Sequence, residues 1–313
     1  MSNPVKRIRE IGLKRFLKKA SFYDEVYTIG IRTICPCPDD ALLNPSMPFT
    51  PIAQTADIWM ADPLLFTVND KDWLFAELFE KDCHLGRIAV IDPDSKDRKP
   101  TVILREPFHM SFPMIFEWNG QYFMVPETSG DKSVRLYQCT EFPYQWETAA
   151  VFPVDALIVD SVVINRTDDA VTFLASETNP ENELLVRFVT YTIKKKEDGY
   201  HLDYAPSKRE FTYIERNGGY PVMRNGSLYL VTQNSSTIDY GVSLSRSSFE
   251  NNTFTVHETL SPQSVQITGI TPASVIGVHT YSKGCRYEVI DMRYLKFDPW
   301  LNARRIGYKV KHK

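Results

Sequence analysis

The chain has no apolar run long enough for a signal peptide or a membrane-spanning helix. It has no Gly-rich phosphate loop, no Gly-x-Ser-x-Gly elbow and no His-Glu-x-x-His pair, so the commonest signatures of nucleotide binding, serine hydrolysis and zinc proteolysis are missing. It lacks an excess of either charge: 36 Lys and Arg stand against 39 Asp and Glu, for a net charge of −3. That balance argues against a nucleic-acid partner held by bulk electrostatics. Cysteine is sparse and odd in number, with Cys35, Cys37, Cys83, Cys139 and Cys285 in no framework spacing. We read them as reduced thiols of a cytoplasmic protein. Cys35-Pro-Cys37 has no second pair at finger spacing, so no metal is expected, and no cofactor. Four Asn-x-Ser/Thr matches, at Asn165, Asn225, Asn234 and Asn251, are read as chance. Helical spacing of apolar residues is also missing from the long middle of the chain.

What is present is a repeat. Met114 to Trp118 and Gln121 to Val125 read as two short strands around Asn119-Gly120, a strong hairpin signal because a type I′ turn needs φ > 0 at both central positions. The same unit is legible in Asp62 to Glu77, around Asp70-Lys71-Asp72, and in Asp160 to Glu177, around Thr167-Asp168-Asp169. It recurs from Tyr220 to Gln233, around Asn225-Gly226, and more weakly from Gly277 to Asp291. The acids that end three copies are evenly spaced, 127 − 77 = 50 and 177 − 127 = 50, and Gln233 follows at 233 − 177 = 56. A β-rich period near 50 predicts an all-β, five-bladed propeller. Hydrophobic residues at 43% and aromatics at 12% suit so large a β core. Trp73, Trp118 and Tyr122 alternate along strands and read as core.

The expected organisation is a basic N-terminal helix over 1–26 and a propeller over 27–313. Residues 1–20 carry seven Lys and Arg against Glu10, 7 − 1 = +6, and the C-terminal end is basic too. These ends are read either as a solvated cap or as a contact with an anionic membrane surface. Tyr27 to Ile34 reads as a strand that completes the last blade beside Tyr287 to Tyr294. Residues 35–56, with five prolines, read as an extended surface linker.

Ala61-Asp62-Pro63, followed by a hairpin and further blades, resembles the five-bladed propeller glycosidases of the arabinanase, xylosidase and invertase type. Phe112-Pro113, Val125-Pro126-Glu127-Thr128, Leu136 to Pro143, Tyr240-Gly241 and Gly277 to Tyr281 resemble more closely another family. It is the N-terminal domain of plant glucosamine inositolphosphorylceramide transferases and its bacterial counterparts, found in surface-polysaccharide assembly. The glycosidase resemblance implies paired carboxylates flanking a sugar bond, with Asp62 matching the general base and Asp160 the aspartate that tunes the acid. The blade-four acid of those enzymes has no match: the place reads Asn217-Gly218-Gly219-Tyr220-Pro221, and the nearest acid is Glu215.

Antiparallel geometry puts Asp62, Asp160, Glu77, Glu127 and Glu177 at one mouth of the channel. His109, Ser111, Arg216, Gln233 and His279 join them as substrate-binding candidates, with Glu127 as the expected acid. The alternative is that each carboxylate caps a turn or pairs with a cation. Three functional readings follow: an enzyme acting on a glycan or activated sugar, a silent glycan-binding module of polysaccharide assembly, and a protein-interaction propeller.

Overall fold

The computed structural model describes residues 23–36, 41–206, 210–224, 227–236, 239–250 and 253–300. Residues 1–22 of the expected N-terminal helix, the basic C-terminal end, Cys37 and the Asn225-Gly226 turn lie outside these residues, and Tyr23 to Val26, expected as the end of that helix, are strand instead.

Alternating apolar and polar residues make the segments between the turns into strands, and the strands form five antiparallel sheets. Blade one runs Ile58–Val68, Lys71–Glu80, Leu85–Ile91 and Thr101–Leu104. Blade two runs Ser111–Trp118, Gln121–Glu127, Ser133–Glu141 and Gln145–Pro153. Blade three runs Ile158–Arg166, Ala170–Asn179, Asn182–Lys196 and Gly199–Tyr204. In blades four and five the inner strand is split. Blade four has Glu215–Asn217 and Val222–Arg224, then Ser227–Asn234, Ser243–Glu250 and Thr253–Leu260. Blade five has Val275–Gly277 and Tyr281–Lys283, both paired with Tyr287–Phe297.

The ring closes as the sequence suggests. Tyr23–Thr33 pairs along its whole length with Tyr287–Phe297, from Tyr23↔Phe297 to Thr33↔Tyr287. The first strand of the fold thus sits inside the last blade. Ile29 and Ile31 share one buried cluster with Met60, Leu65 and Leu74 of blade one, so the junction between the last and first blades is apolar core.

The proline-rich segment after this strand is more than a surface linker. Thr50–Pro51 pairs with Tyr23–Thr33 at the outer edge of blade five, a place where a residue without an N–H is tolerated. Leu43 and Phe49 are fully buried against Leu260, Val265 and Ile267. The segment covers a sheet edge that would otherwise template pairing with another chain.

Trp118 is buried, and Trp73 and Tyr122 pack against Phe142. None of the four described cysteines forms a disulfide. No helix among the described residues is long and apolar enough to cross a membrane.

Candidate functional site

The site begins with a repeated distortion of the inner strand. Pairing slips between Ala61 and Leu64, between Ser111 and Met114, and between Val159 and Val162. In each slip one residue takes positive φ: Asp62 at 50°, Phe112 at 42° and Asp160 at 50°. Such a bulge re-aims a side chain out of the sheet alternation. The left-handed conformation costs a non-glycine residue about 1–2 kcal/mol, so neighbouring groups must hold it.

They do so from blade to blade. Asp291 of blade five accepts the Asp62 N–H at 3.0 Å. Asp62 in turn accepts the Phe112 N–H at 3.3 Å. Asn217 of blade four donates to the Asp160 carbonyl at 2.7 Å. In blade two the bulge residue is the fully buried Phe112, which packs with Leu64, Met114, Val162 and Leu230 from four blades. This apolar cluster joins four inner faces beside the carboxylates. The Tyr220 hydroxyl links blade four to blade two by donating to the Ile115 carbonyl at 3.0 Å.

Arg216 gathers the blade-two and blade-three acids. Its Nε donates to Asp160 at 2.6 Å and its Nη2 to Glu127 at 3.4 Å. Gln233 also donates to Asp160, at 3.2 Å, and the Tyr240 ring lies 5.0 Å from the guanidinium. Burial pushes the Asp160 carboxyl up to about 7, against the pull of Arg216. Burial also raises Glu127, opposed by Arg216 and by a hydrogen bond from Ser129 at 2.9 Å.

On the other side stands a buried relay. Nδ1 of His279 is 2.5 Å from Asp291, and its Nε2 is 3.8 Å from Asp62. The second Asp291 oxygen accepts the backbone N–H groups of His279 and Thr280, where the inner strand of blade five is interrupted. Thr280 donates its hydroxyl to Asp62 at 2.9 Å. Burial alone pulls His279 down, but Asp291 and Asp62 more than reverse it and hold the ring above 6.5. Burial raises Asp62, with His279 opposing. The Tyr27 ring stacks on His279 at 4.9 Å.

Asp62, His279 and Asp291 each offer one ligand atom within 4.8 Å of the others, so they could gather around a cation. His279 and Asp291 are joined in a charge-assisted hydrogen bond, 2.5 Å from Nδ1 to the carboxylate oxygen.

The structure brings Asp62, Glu77, Glu127, Asp160, Arg216, Gln233 and His279 into one cluster, with His109 at its blade-one rim. Ser111 pairs in register with Glu127 and is buried beside it. Glu177 is not part of the cluster. Glu77 and Glu127 pair with Ala61 and Ser111, the residues just before the bulge, whereas the residue before Asp160, Val159, pairs with Ser176. Glu177 is one step further along, and one step turns a side chain to the other face of the sheet. Both its oxygens bind Arg187, at 2.8 and 2.5 Å, and it also accepts from Tyr204.

Sequence reasoning missed Asp291, Asn217 and Thr280 as parts of the site and passed over Tyr27 and Tyr240. A signal existed for Asp291, an acid within the apolar run Val289-Ile290-Asp291-Met292. Gly218, in the stretch where the glycosidase resemblance looked for an acid, has no room for a side chain: a Cβ there would lie 2.5 Å from the His279 carbonyl oxygen. A separate, mostly apolar cavity of about 220 Å³ lies between blades four and five, lined by Tyr220, Tyr229, Tyr281 and Lys283, and shares none of the clustered carboxylates.

The family described as glucosamine inositolphosphorylceramide transferase 1, N-terminal, matches residues 44–304. The chain belongs to this family. Two proteins named glucosamine inositolphosphorylceramide transferase 1 are 27% identical to it: one from Oryza sativa subsp. indica over 186 residues, the other from Arabidopsis thaliana over 187. The alignments cover 57% and 56% of this chain but only 24% and 23% of those proteins. The chain thus spans about a quarter of the curated relatives it matches. Among solved structures, an exo-1,5-alpha-L-arabinanase from a bovine ruminal metagenomic library is similar with TM-score 0.47 and 12% identity, over 77% of this chain and 98% of that one. The RS223 beta-xylosidase has TM-score 0.47 and 14% identity, over 78% and 94%.

Proposed function

We propose that this mouth is a carbohydrate-processing site acting on a glycan or an activated sugar in polysaccharide or glycoconjugate assembly. The observation that carries the reading is the matched pair Asp62 and Asp160. The same positive-φ bulge turns both toward one cluster, where they meet Arg216 and His279. Among the described residues, five carboxyl groups (Asp62, Glu77, Glu127, Asp160 and Asp291) crowd there with Arg216 and His279 as their cationic partners, an arrangement costly in self-repulsion unless protons or a ligand relieve it. Asp62 takes the part of the general base and a buried glutamic acid the part of the proton donor. Membership of a transferase family supports sugar chemistry, and transfer to an acceptor hydroxyl uses the same pair of groups as hydrolysis.

A second reading is favoured by one observation. Gly218 leaves no room for the blade-four acid, which suits a module that binds glycans without turning them over. Saturation-transfer NMR with a panel of oligosaccharides and sugar nucleotides, read beside product formation, separates the two. Binding with turnover supports the enzyme, binding alone the module, and neither removes both. We place the protein in the cytoplasm, with its basic ends against anionic membranes. Sedimentation with phosphatidylserine vesicles at low salt tests this, and absence of binding by the intact chain rejects the membrane contact.

A further inference from the structure

Glu77 is the carboxyl group of the mouth with the fewest partners. Its side chain is 5% exposed, and no Lys or Arg among the described residues pairs with it. Its Oε1 is buried without a hydrogen-bond partner. A buried, unpaired carboxylate is far costlier than the neutral acid. Burial first, then the charges of Asp62, Glu127 and Asp291, push Glu77 well above its ordinary 4.5. Glu127, by contrast, already receives Arg216 and Ser129, both of which favour its carboxylate form.

Nε2 of His109 lies 3.5 Å from this orphan oxygen. The Gly86 N–H donates to Nδ1 of the same ring at 2.9 Å, so the neutral imidazole carries its proton on Nε2, the nitrogen on the Glu77 side. Burial and Arg87 hold His109 below 6.5, against the pull of Asp62. The ring is therefore a neutral donor, suited to receive a carboxylate once Glu77 has lost its proton. Gly86 makes this packing possible: a Cβ there would lie 2.6 Å from Glu77 Oε1 and 2.3 Å from the Met110 carbonyl oxygen.

The same face of blade one carries an aromatic wall. Trp59 lies two residues before Ala61 and Phe79 two after Glu77, and the two rings stack at 4.3 Å and 8°. Phe79 abuts His109 at 6.1 Å, and Trp59 abuts Tyr27 at 4.9 Å. Half-buried rings beside a few convergent polar groups are the usual make-up of a small-molecule site.

We propose that Glu77 is the proton donor of this site and that His109 is its positioning residue. This rests on reading the mouth as a carbohydrate-processing site. As the sugar C–O bond breaks, its electron pair goes to the departing oxygen, which takes the proton from Glu77. Asp62 takes a proton from the attacking water or acceptor hydroxyl, whose oxygen forms the new bond to carbon. Glu77 ends as a carboxylate beside Nε2–H of His109, Asp62 ends as an acid, and each returns by exchanging one proton with solvent.

The test uses aryl glycosides in pairs, one phenyl and one dinitrophenyl for each sugar, because an acidic leaving group needs no proton. Glu77→Gln should slow the phenyl substrate about 100-fold or more and spare the dinitrophenyl one. Glu127→Gln should not discriminate between them. His109→Gln leaves Glu77 in place and should show a weaker form of the same discrimination in kcat, with KM unchanged, which keeps the test alive should Glu77→Gln not fold. Infrared difference spectra at neutral pH should show a protonated-carboxyl band in the wild type that Glu77→Gln removes. Equal slowing of both substrates, or a band unaltered by Glu77→Gln, overturns the assignment while leaving the carbohydrate reading intact. A wild type that turns over no member of the panel overturns that reading and this role together.

Discussion

Glu77 and Asp160 are both buried acids, yet the fold treats them differently. Asp160 has Arg216 and Gln233, whereas no Lys or Arg among the described residues pairs with Glu77, and burial raises its carboxyl well above the ordinary range. Because its folded value is raised above 4.5, the native state holds a proton that the unfolded chain releases. The stability this contributes is fully present below 4.5 and is lost as pH rises through the folded value, at about 1.4 kcal/mol per pH unit within that window. Glu77→Gln removes this dependence. Urea denaturation from pH 5 to 9 should show the wild type weakening with pH more steeply than the variant, and parallel curves would contradict it. Asp62 and Asp160 were legible in the sequence because each stands just before an apolar run, in a recurring place. Asp291 was not, because its meaning depends on partners that the chain reaches only after closing the ring.

At the scale of strands, turn chemistry fixed the hairpins: Asn119-Gly120 falls between Ser111–Trp118 and Gln121–Glu127, as read. The bulges were not readable, since a shift of pairing by one residue leaves no mark on composition. That is why even spacing placed Glu177 at the mouth and the sheet turned it to Arg187. Blade four shows the opposite case, a glycine visible in the sequence whose packing is not. Gly218 lies against the backbone of blade five. Gly218→Ala should destabilise the protein by about 1–3 kcal/mol through overpacking, measured as a fall in the urea midpoint with an unchanged slope. An unchanged midpoint would mean that the blade has room for a side chain after all.

The whole molecule depends on a strand from one end of the chain completing a sheet from the other. Alternation in Tyr27 to Ile34 made this legible, although Leu43 and Phe49 as core beneath the prolines were hidden by the linker-like composition. Ile29 is fully buried at the junction of the last and first blades. Ile29→Ala should cost about 2–5 kcal/mol, and circular dichroism and fluorescence should report one shared unfolding transition. Two separated transitions would show that closure is not what makes the ring cooperative. The same ring brings Asp62 of blade one to His279 of blade five and Asp160 of blade three to Arg216 of blade four, and the proposed chemistry stands on that convergence. The most direct measurement is product formation by wild type and Asp62→Asn on a panel of glycans and sugar nucleotides, followed by mass spectrometry. The account predicts turnover by the wild type and a loss of about 100-fold or more in the variant, with the fold intact by circular dichroism. Full activity surviving in Asp62→Asn would contradict it.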